Sequence, residues 1–324
     1  MADVFTSTTA AGGYQTNTVA AAYDLLFRWA LVVTPQYRQF VTVRPEQQTM
    51  HGNTVTLELN QYFGEAAVIA AKTPLNELLD TDAISLPATT TVVLTPLEYG
   101  FANVRTLKLA NRTMVPVEPV IAQAVADHCR KTVDGLIQDE LANTVAASKQ
   151  FSGAATSIVT TTAATTITAD LVRKAVLQLR VNQAIPWFGD MYAVGIHPAA
   201  VYELRRETGA GGWRNPNEYG VDQSRIWQGE IGAFEGARFV ENARTRVAAD
   251  GAASAFVARS YFFGQEALAE AVVVDPHIVI GPSVDRLQRF QPIGWYGDIG
   301  FKIFRQDALV VNYSGSATLV AALG

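Results

Sequence analysis

The stretch from Thr54 to Thr95 carries strand-like ends around a long middle, and a long amphipathic helix, Pro116 to Ala147, follows it. Val55, Leu57 and Leu59 alternate with Thr54, Thr56 and Glu58, the period of a half-buried strand. A second β-rich run, Thr89 to Thr95, is suited to pair with it. About thirty residues separate the two, including Thr73-Pro74-Leu75 and Ser85-Leu86-Pro87, and a connection that long inside a compact domain is usually functional. The extended piece has too little apolar surface to fold into a core of its own, so it must pack on something else. A chain of this design is made to touch copies of itself.

Pro116 and Pro119 suit the first turn of the helix that follows, where no amide donor is needed. Val117, Val120, Ile121, Ala124, Val125, Cys129, Val133, Leu136, Ile137, Leu141 and Val145 then mark one stripe, which Gly135 weakens by about 1 kcal/mol relative to alanine. Upstream, Val19, Ala22, Tyr23, Leu26, Phe27, Ala30 and Leu31 recur at helical spacing behind Asn17 and Thr18, and Pro35 ends that helix.

The Thr/Ala stretch from Ala154 to Thr168 reads as a polar connector and a domain boundary. Beyond it Thr168 caps a helix carrying Leu171, Val172, Ala175, Val176 and Leu179; a strand from Met191 to Ile196 follows, and Pro198 opens a helix through Arg206. A glycine-rich loop, Thr208 to Gly220, precedes two β-rich runs, Ala233 to Glu241 and Ser254 to Phe263. The strand-like segments Trp295 to Phe304 and Ala308 to Tyr313 are placed to return to the domain begun by the long helix. The fold class is α+β.

Composition narrows the function classes. With 324 residues, 49% of them hydrophobic and 17% charged, the chain can bury one large core or two smaller ones. A net charge of −5 argues against a nucleic-acid-binding protein, which usually carries a basic excess. One cysteine, Cys129, excludes an intramolecular disulfide and reads as a buried structural thiol. No signal peptide is visible at Met1 to Gly13 and no apolar run approaches the roughly 20 residues of a spanning helix, so a reducing cytoplasm and no membrane are expected.

Catalytic and metal chemistry find little support. His51, His128, His197 and His277 have no partner at ligand spacing, and His197-Pro198 stands where a strand hands over to a helix, which favours capping. Asp275-Pro276-His277 lacks a third ligand nearby in sequence, and Pro276 favours a turn. Gly209-Ala210-Gly211-Gly212 is not followed by Lys-Ser or Lys-Thr, so a phosphate loop is disfavoured, and no Gly-x-Ser-x-Gly elbow is present. Glu203 and Glu207 share a helix face, but Arg206 beside them points to a solvated, charge-balanced surface. No catalytic residue, cofactor site or metal site is assigned, and no enzyme is expected.

The order of elements resembles the major capsid proteins of tailed bacteriophages with the Hong Kong 97 type of fold. The segments most similar are His197-Pro198 with Val201-Tyr202-Glu203-Leu204-Arg205, and the run from Gly229 to Glu241 (GEIGAFEGARFVE). The resemblance covers essentially the whole chain. It implies an N-terminal arm and first helix (1–50), an extended loop lying over a neighbour (51–96), a peripheral domain with its spine helix (97–168), an axial domain around the five-fold and six-fold centres (169–280) and a return to the peripheral domain (281–324). The candidate inter-subunit contacts are Phe5 and Tyr14 on the arm, Val55, Leu57, Leu59, Tyr62, Phe63, Leu75 and Leu78 on the extended stretch, and Trp213 and Arg214 on the glycine-rich loop near a symmetry axis.

The same resemblance implies hexamers and pentamers of an icosahedral head, packaged double-stranded DNA held without specific binding, and portal and scaffolding proteins as partners, with a decoration protein left open. The short arm implies that any scaffolding protein is separate. The expected location is the virion, assembled in the cytoplasm of a bacterial host. Two alternatives stand beside this reading: a cellular nanocompartment shell of the same fold, and a soluble α/β enzyme.

Overall fold

The period-two alternation at Val55, Leu57 and Leu59 needs a partner strand, and in the computed structural model it has one. Val55–Leu59 (β1) pairs antiparallel with Thr90–Leu94 (β2), in register from Val55↔Leu94 to Leu59↔Thr90. The structure describes residues 37–42, 54–60, 67–68, 71–72, 74, 85–112, 117–207, 230–283 and 286–317. The expected helix around residues 19–31 and the glycine-rich loop lie outside them.

After Leu97–Thr106 (β3) and the short helix Leu107–Arg112 (α1), the long helix Val117–Ala142 (α2) runs 26 residues, about 39 Å at 1.5 Å per residue. It stops five residues short of Ala147. The Asn143 amide donates to the Glu140 carbonyl at 2.9 Å and the Thr144 hydroxyl to the Leu141 carbonyl at 2.7 Å, tight bonds that satisfy the last turn. Val125, Val133, Ile137 and Leu141 of the stripe are buried, whereas Val145 lies past the helix end and is exposed. Cys129 is only half-buried, because its turn faces a cleft and not the centre of the core.

The rest of the chain alternates. Lys149–Phe151 (β4), Ala169–Val181 (α3), Tyr192–Ile196 (β5), Pro198–Arg206 (α4), Glu230–Phe234 (β6), Ala237–Glu241 (β7), Val247–Ala248 (β8), Val257–Phe263 (β9), Leu268–Ile280 (β10), Phe290–Ile303 (β11) and Leu309–Gly315 (β12) follow in order. They build a sheet ordered β4-β12-β9-β5-β7-β6, with β8 beside β9, and a separate three-stranded sheet ordered β10-β11-β3. The run from Ala233 to Glu241, read as one β segment, is a hairpin. Its turn residues Glu235 and Gly236 both have positive φ, 50° and 80°, the left-handed geometry of a tight two-residue turn.

The two C-terminal strands part company. β11 pairs with β3 and β10, but β12 lies inside the larger sheet between β4 and β9. All seven residues of β12 are buried, which demands a position covered on both faces. One hydrophobic core therefore joins Ile137 and Leu141 of α2 to Val172 and Leu179 of α3 and to Val194, Phe262 and Val311 of the sheet. The stretch 154–168 runs into this core: Thr161 and Ile167 are buried.

Local polar contacts fix the helix starts. The Thr168 hydroxyl accepts from the Leu171 amide at 3.3 Å and a Glu207 carboxylate oxygen from the Ala169 amide at 2.6 Å, so two side chains cap α3. His197 caps α4, its Nδ1 accepting from the Ala199 amide at 3.1 Å, as its place between strand and helix predicts. The solvated surface expected of Glu203 and Glu207 is not what forms: Glu203 is buried and accepts from the Ser316 hydroxyl at 3.1 Å, while Glu207 is spent on the cap.

Before the β1–β2 hairpin, a single helical turn at Tyr37–Phe40 plugs the junction between α2 and the large sheet. The Tyr37 hydroxyl meets the Thr245 hydroxyl at 2.6 Å, its ring packs edge-on to Tyr261, and Phe40 stacks on Phe263 with centroids 4.9 Å apart. A Cβ on Gly195 would come within 2.7 Å of the Tyr37 ring, so the sheet at that point needs glycine.

Candidate inter-subunit surface

The three-stranded sheet has a buried strand at its centre and exposed residues along β3 and the far half of β10. β11 spans 14 residues, roughly 45 Å of extended chain, and pairs with β10 from Leu268↔Ile303 to Ile280↔Ile293 and with β3 from Ile299↔Leu97 to Phe290↔Thr106. One face lies against α2. There Trp295 Nε1 donates to His128 Nδ1 at 3.0 Å, the Phe101 ring stacks on His128 with centroids 4.4 Å apart, and Lys302 pairs with Glu140 at 3.0 Å.

The other face is open. Gly100, Ala102, Gly294 and Val279 floor a shallow, mainly apolar groove of about 620 Å³, with Tyr296 at its side. Leu97, Val104, Leu107, Leu109, Ile278, Ile280 and Leu287 are also exposed along this sheet and its ends. Apolar side chains at this density on an exposed sheet mark a contact surface.

The edge strand β10 departs from what its sequence suggests. Asp275-Pro276-His277 does not turn; it stays extended and takes up a register shift between Val274 and His277. An edge strand tolerates proline because its outer side needs no donor. Asp275 accepts from Arg38 at 2.9 Å, and the same guanidinium pairs at 2.8 Å with Glu270, whose side chain is fully buried. The His277 ring approaches the Asp275 carbonyl at 2.9 Å.

These groups border a cavity of about 340 Å³ between α2 and β10, lined by Arg38, Cys129, Arg130, Asp134, His277 and Trp295. Burial pushes the Cys129 thiol up, which disfavours the thiolate, and burial raises the Asp134 carboxyl. The Asp134 carboxylate accepts from the Tyr37 amide at 3.0 Å and from the Gln138 amide nitrogen at 3.2 Å. Bonds of this kind brace the junction. Among the described residues no group of three or more His, Cys, Asp or Glu is arranged to hold a metal, and no helix is long and apolar enough to cross a membrane.

Of the residues singled out from sequence, Val55 is buried in a small cluster of its own chain with Leu94, Ala269 and Ala271. Leu57 packs partly against the same cluster, and Leu59 is half-buried opposite Thr90. Phe5, Tyr14, Tyr62, Phe63, Leu75, Leu78, Trp213 and Arg214 lie outside the described residues. The exposed residues of β3, α1 and the β10–β11 hairpin escaped the sequence reading. The available signal was the run of Leu97, Tyr99, Phe101 and Val104 directly after Pro96.

Comparison with known proteins places this architecture. A family model described as phage capsid protein matches residues 113–307. No curated protein sequence matches the chain. Among solved structures, the capsid of Ralstonia phage GP4 superposes with a TM-score of 0.75 at 15% identity, covering 96% of this chain and 98% of that one. The capsid of Cyanophage Pam1 gives 0.71 at 15% identity over 95% of this chain and 100% of that one. The capsid of a native GTA particle gives 0.66 at 13% identity, covering 97% and 100%. The shared fold is of the Hong Kong 97 type.

Proposed function

The chain belongs to the phage capsid protein family and is a major capsid protein, and on that premise we propose that it assembles into the hexamers and pentamers of a closed icosahedral head around double-stranded DNA. The family match across residues 113–307 carries this reading. The exposed, apolar three-stranded sheet supports it physically. Rings of five and six copies need heterologous contacts, in which different patches meet around an axis. Each contact contributes burial at about 25 cal/mol per Å², offset by ordering costs, so many weak interfaces sum to a stable shell.

In this proposal residues 51–96 form an extended loop over a neighbouring copy, and Phe5, Tyr14, Tyr62, Phe63, Leu75 and Leu78 contact that neighbour. Residues 97–168 and 281–324 lie at the periphery of each ring, and 169–280 at its centre, with Trp213 and Arg214 near the axis. The role is structural, in the virion, with assembly in the host cytoplasm alongside portal and scaffolding proteins. A net charge of −5 suits a wall that holds DNA without gripping its phosphates.

Size-exclusion chromatography of the purified protein tests the reading. Material in the void volume that resolves as closed shells by electron microscopy is the expected result. A stable monomer or dimer under every assembly condition would refute it.

A further inference from the structure

The cavity between α2 and β10 has the size and the lining of a small-molecule site. Its volume of about 340 Å³ falls at the lower end of the roughly 300–1,000 Å³ of ligand pockets, which combine apolar walls with a few converging polar groups. Ala126 and Val133 of α2 line it on one side, Ile278 of β10 and Trp295 of β11 on the other, with Arg38 and Arg130 among them. An occupant would touch the long helix and the edge strand at once.

The ligand class follows from which polar groups still have bonding capacity. The acids beside the cavity are committed within the chain: Asp134 accepts from the Tyr37 amide and from Gln138, while Glu270 and Asp275 both take Arg38. The His277 ring is turned to the Asp275 carbonyl. Arg130 differs. Its side chain lines the cavity, and among the described residues it pairs with no acid. Asp134, four residues on, is the acid that a helix would offer it, and that carboxylate is occupied by Tyr37 and Gln138.

We propose that this cavity binds a small amphipathic carboxylate, with its anionic end on Arg130 and its apolar body between Ala126, Ile278 and the Trp295 indole. A guanidinium presents paired N–H donors that match the two oxygens of a carboxylate, and an indole offers a broad apolar surface to a flat ligand. A phosphate would use the guanidinium and leave the apolar walls empty, and an organic cation would meet two arginines. The inference is independent of how copies of the chain assemble. A carboxylate held there ties α2 to β10 and stabilises the folded subunit by mass action.

Cys129, the single cysteine of the chain, lines the same cavity and reports its occupancy. The experiment follows alkylation of the full-length protein by N-ethylmaleimide, at one fixed pH, with hydrocinnamate, hydrocinnamyl alcohol, phenylpropylamine or inorganic phosphate present. Saturating hydrocinnamate should slow alkylation about fivefold or more and raise Tm by about 2–4 °C, and the other three probes at equal concentration should do neither. Arg130→Gln, at an exposed position, should keep the wild-type Tm and weaken the protection by hydrocinnamate about tenfold, each rate being compared with that of the same variant without ligand. Ala126→Phe, which fills the cavity from the helix, should abolish protection while circular dichroism stays as in wild type. Equal protection by the alcohol, the amine or phosphate would overturn the assignment, as would full protection in Arg130→Gln. A thiol that hydrocinnamate never protects, or that reacts only after denaturation, would overturn the site itself.

Discussion

The backbone amide of Tyr37 donates to a carboxylate oxygen of Asp134 at 3.0 Å, and this bond fastens the chain segment ahead of the extended hairpin to the middle of the long helix. It gives the single helical turn at Tyr37–Phe40 an acceptor at its start and holds two aromatic rings in the seam between helix and sheet. Asp134→Ala should cost about 1–3 kcal/mol, since it strands a buried donor. Asp134→Asn keeps the acceptor and removes a buried charge. Burial raises the Asp134 carboxyl, so the folded state binds its proton more tightly than the unfolded chain does. Stability from this group is then greatest below the ordinary value of 3.8 and declines as pH rises through the raised one. Urea unfolding should find Asp134→Asn at least as stable as wild type at pH 7, with that decline removed.

His197 gives the opposite slope. Its Nδ1 must be unprotonated to accept from the Ala199 amide, and burial holds its pKa below the ordinary 6.5. Its contribution is complete above pH 6.5 and is lost as pH falls through that value toward the depressed one. His197→Asn, which caps without titrating in this range, should flatten the thermal stability profile between pH 7 and 5.

Gly135 lies within α2 with nothing inside 4 Å of where its Cβ would stand. Gly135→Ala should therefore stabilise by about 0.5–1 kcal/mol, through helix propensity and a less flexible unfolded chain. Differential scanning calorimetry should show a rise in Tm of a few degrees. No change would mean that the glycine serves a contact outside the subunit.

The β1–β2 hairpin closes at its base without the connection it carries. Leu59 pairs with Thr90 and the Thr89 hydroxyl donates to the Asn60 side-chain carbonyl at 3.2 Å. Replacing Gln61 to Leu86 by a short turn should leave a folded subunit, with a cooperative thermal transition, that forms no closed shells. Sedimentation of normal particles from this variant would show that the connection is dispensable.

What could be read in the sequence was set by local periodicity and capping. Val55, Leu57 and Leu59 alternate, Thr168 and Pro198 announce their helices, and His197 occupies a cap position that its neighbours define. What could not be read depends on contacts far apart in the chain. Tyr37 and Phe40 belong to too short a segment to show a period, and only Thr245, Tyr261 and Phe263 reveal them as a plug. Glu203 looks solvated beside Arg206 until Ser316 arrives from the C-terminal end to bury it. β12 reads as a strand just as β11 does, yet burial on both faces sends it to the other sheet.

Electron cryomicroscopy of the purified, assembled protein tests the central claim most directly. Closed particles whose walls are five- and six-membered rings of this chain, with the β1–β2 connection of each copy lying on a neighbour, are the predicted result. Isolated subunits in every condition, with that connection folded back onto its own body, would contradict it.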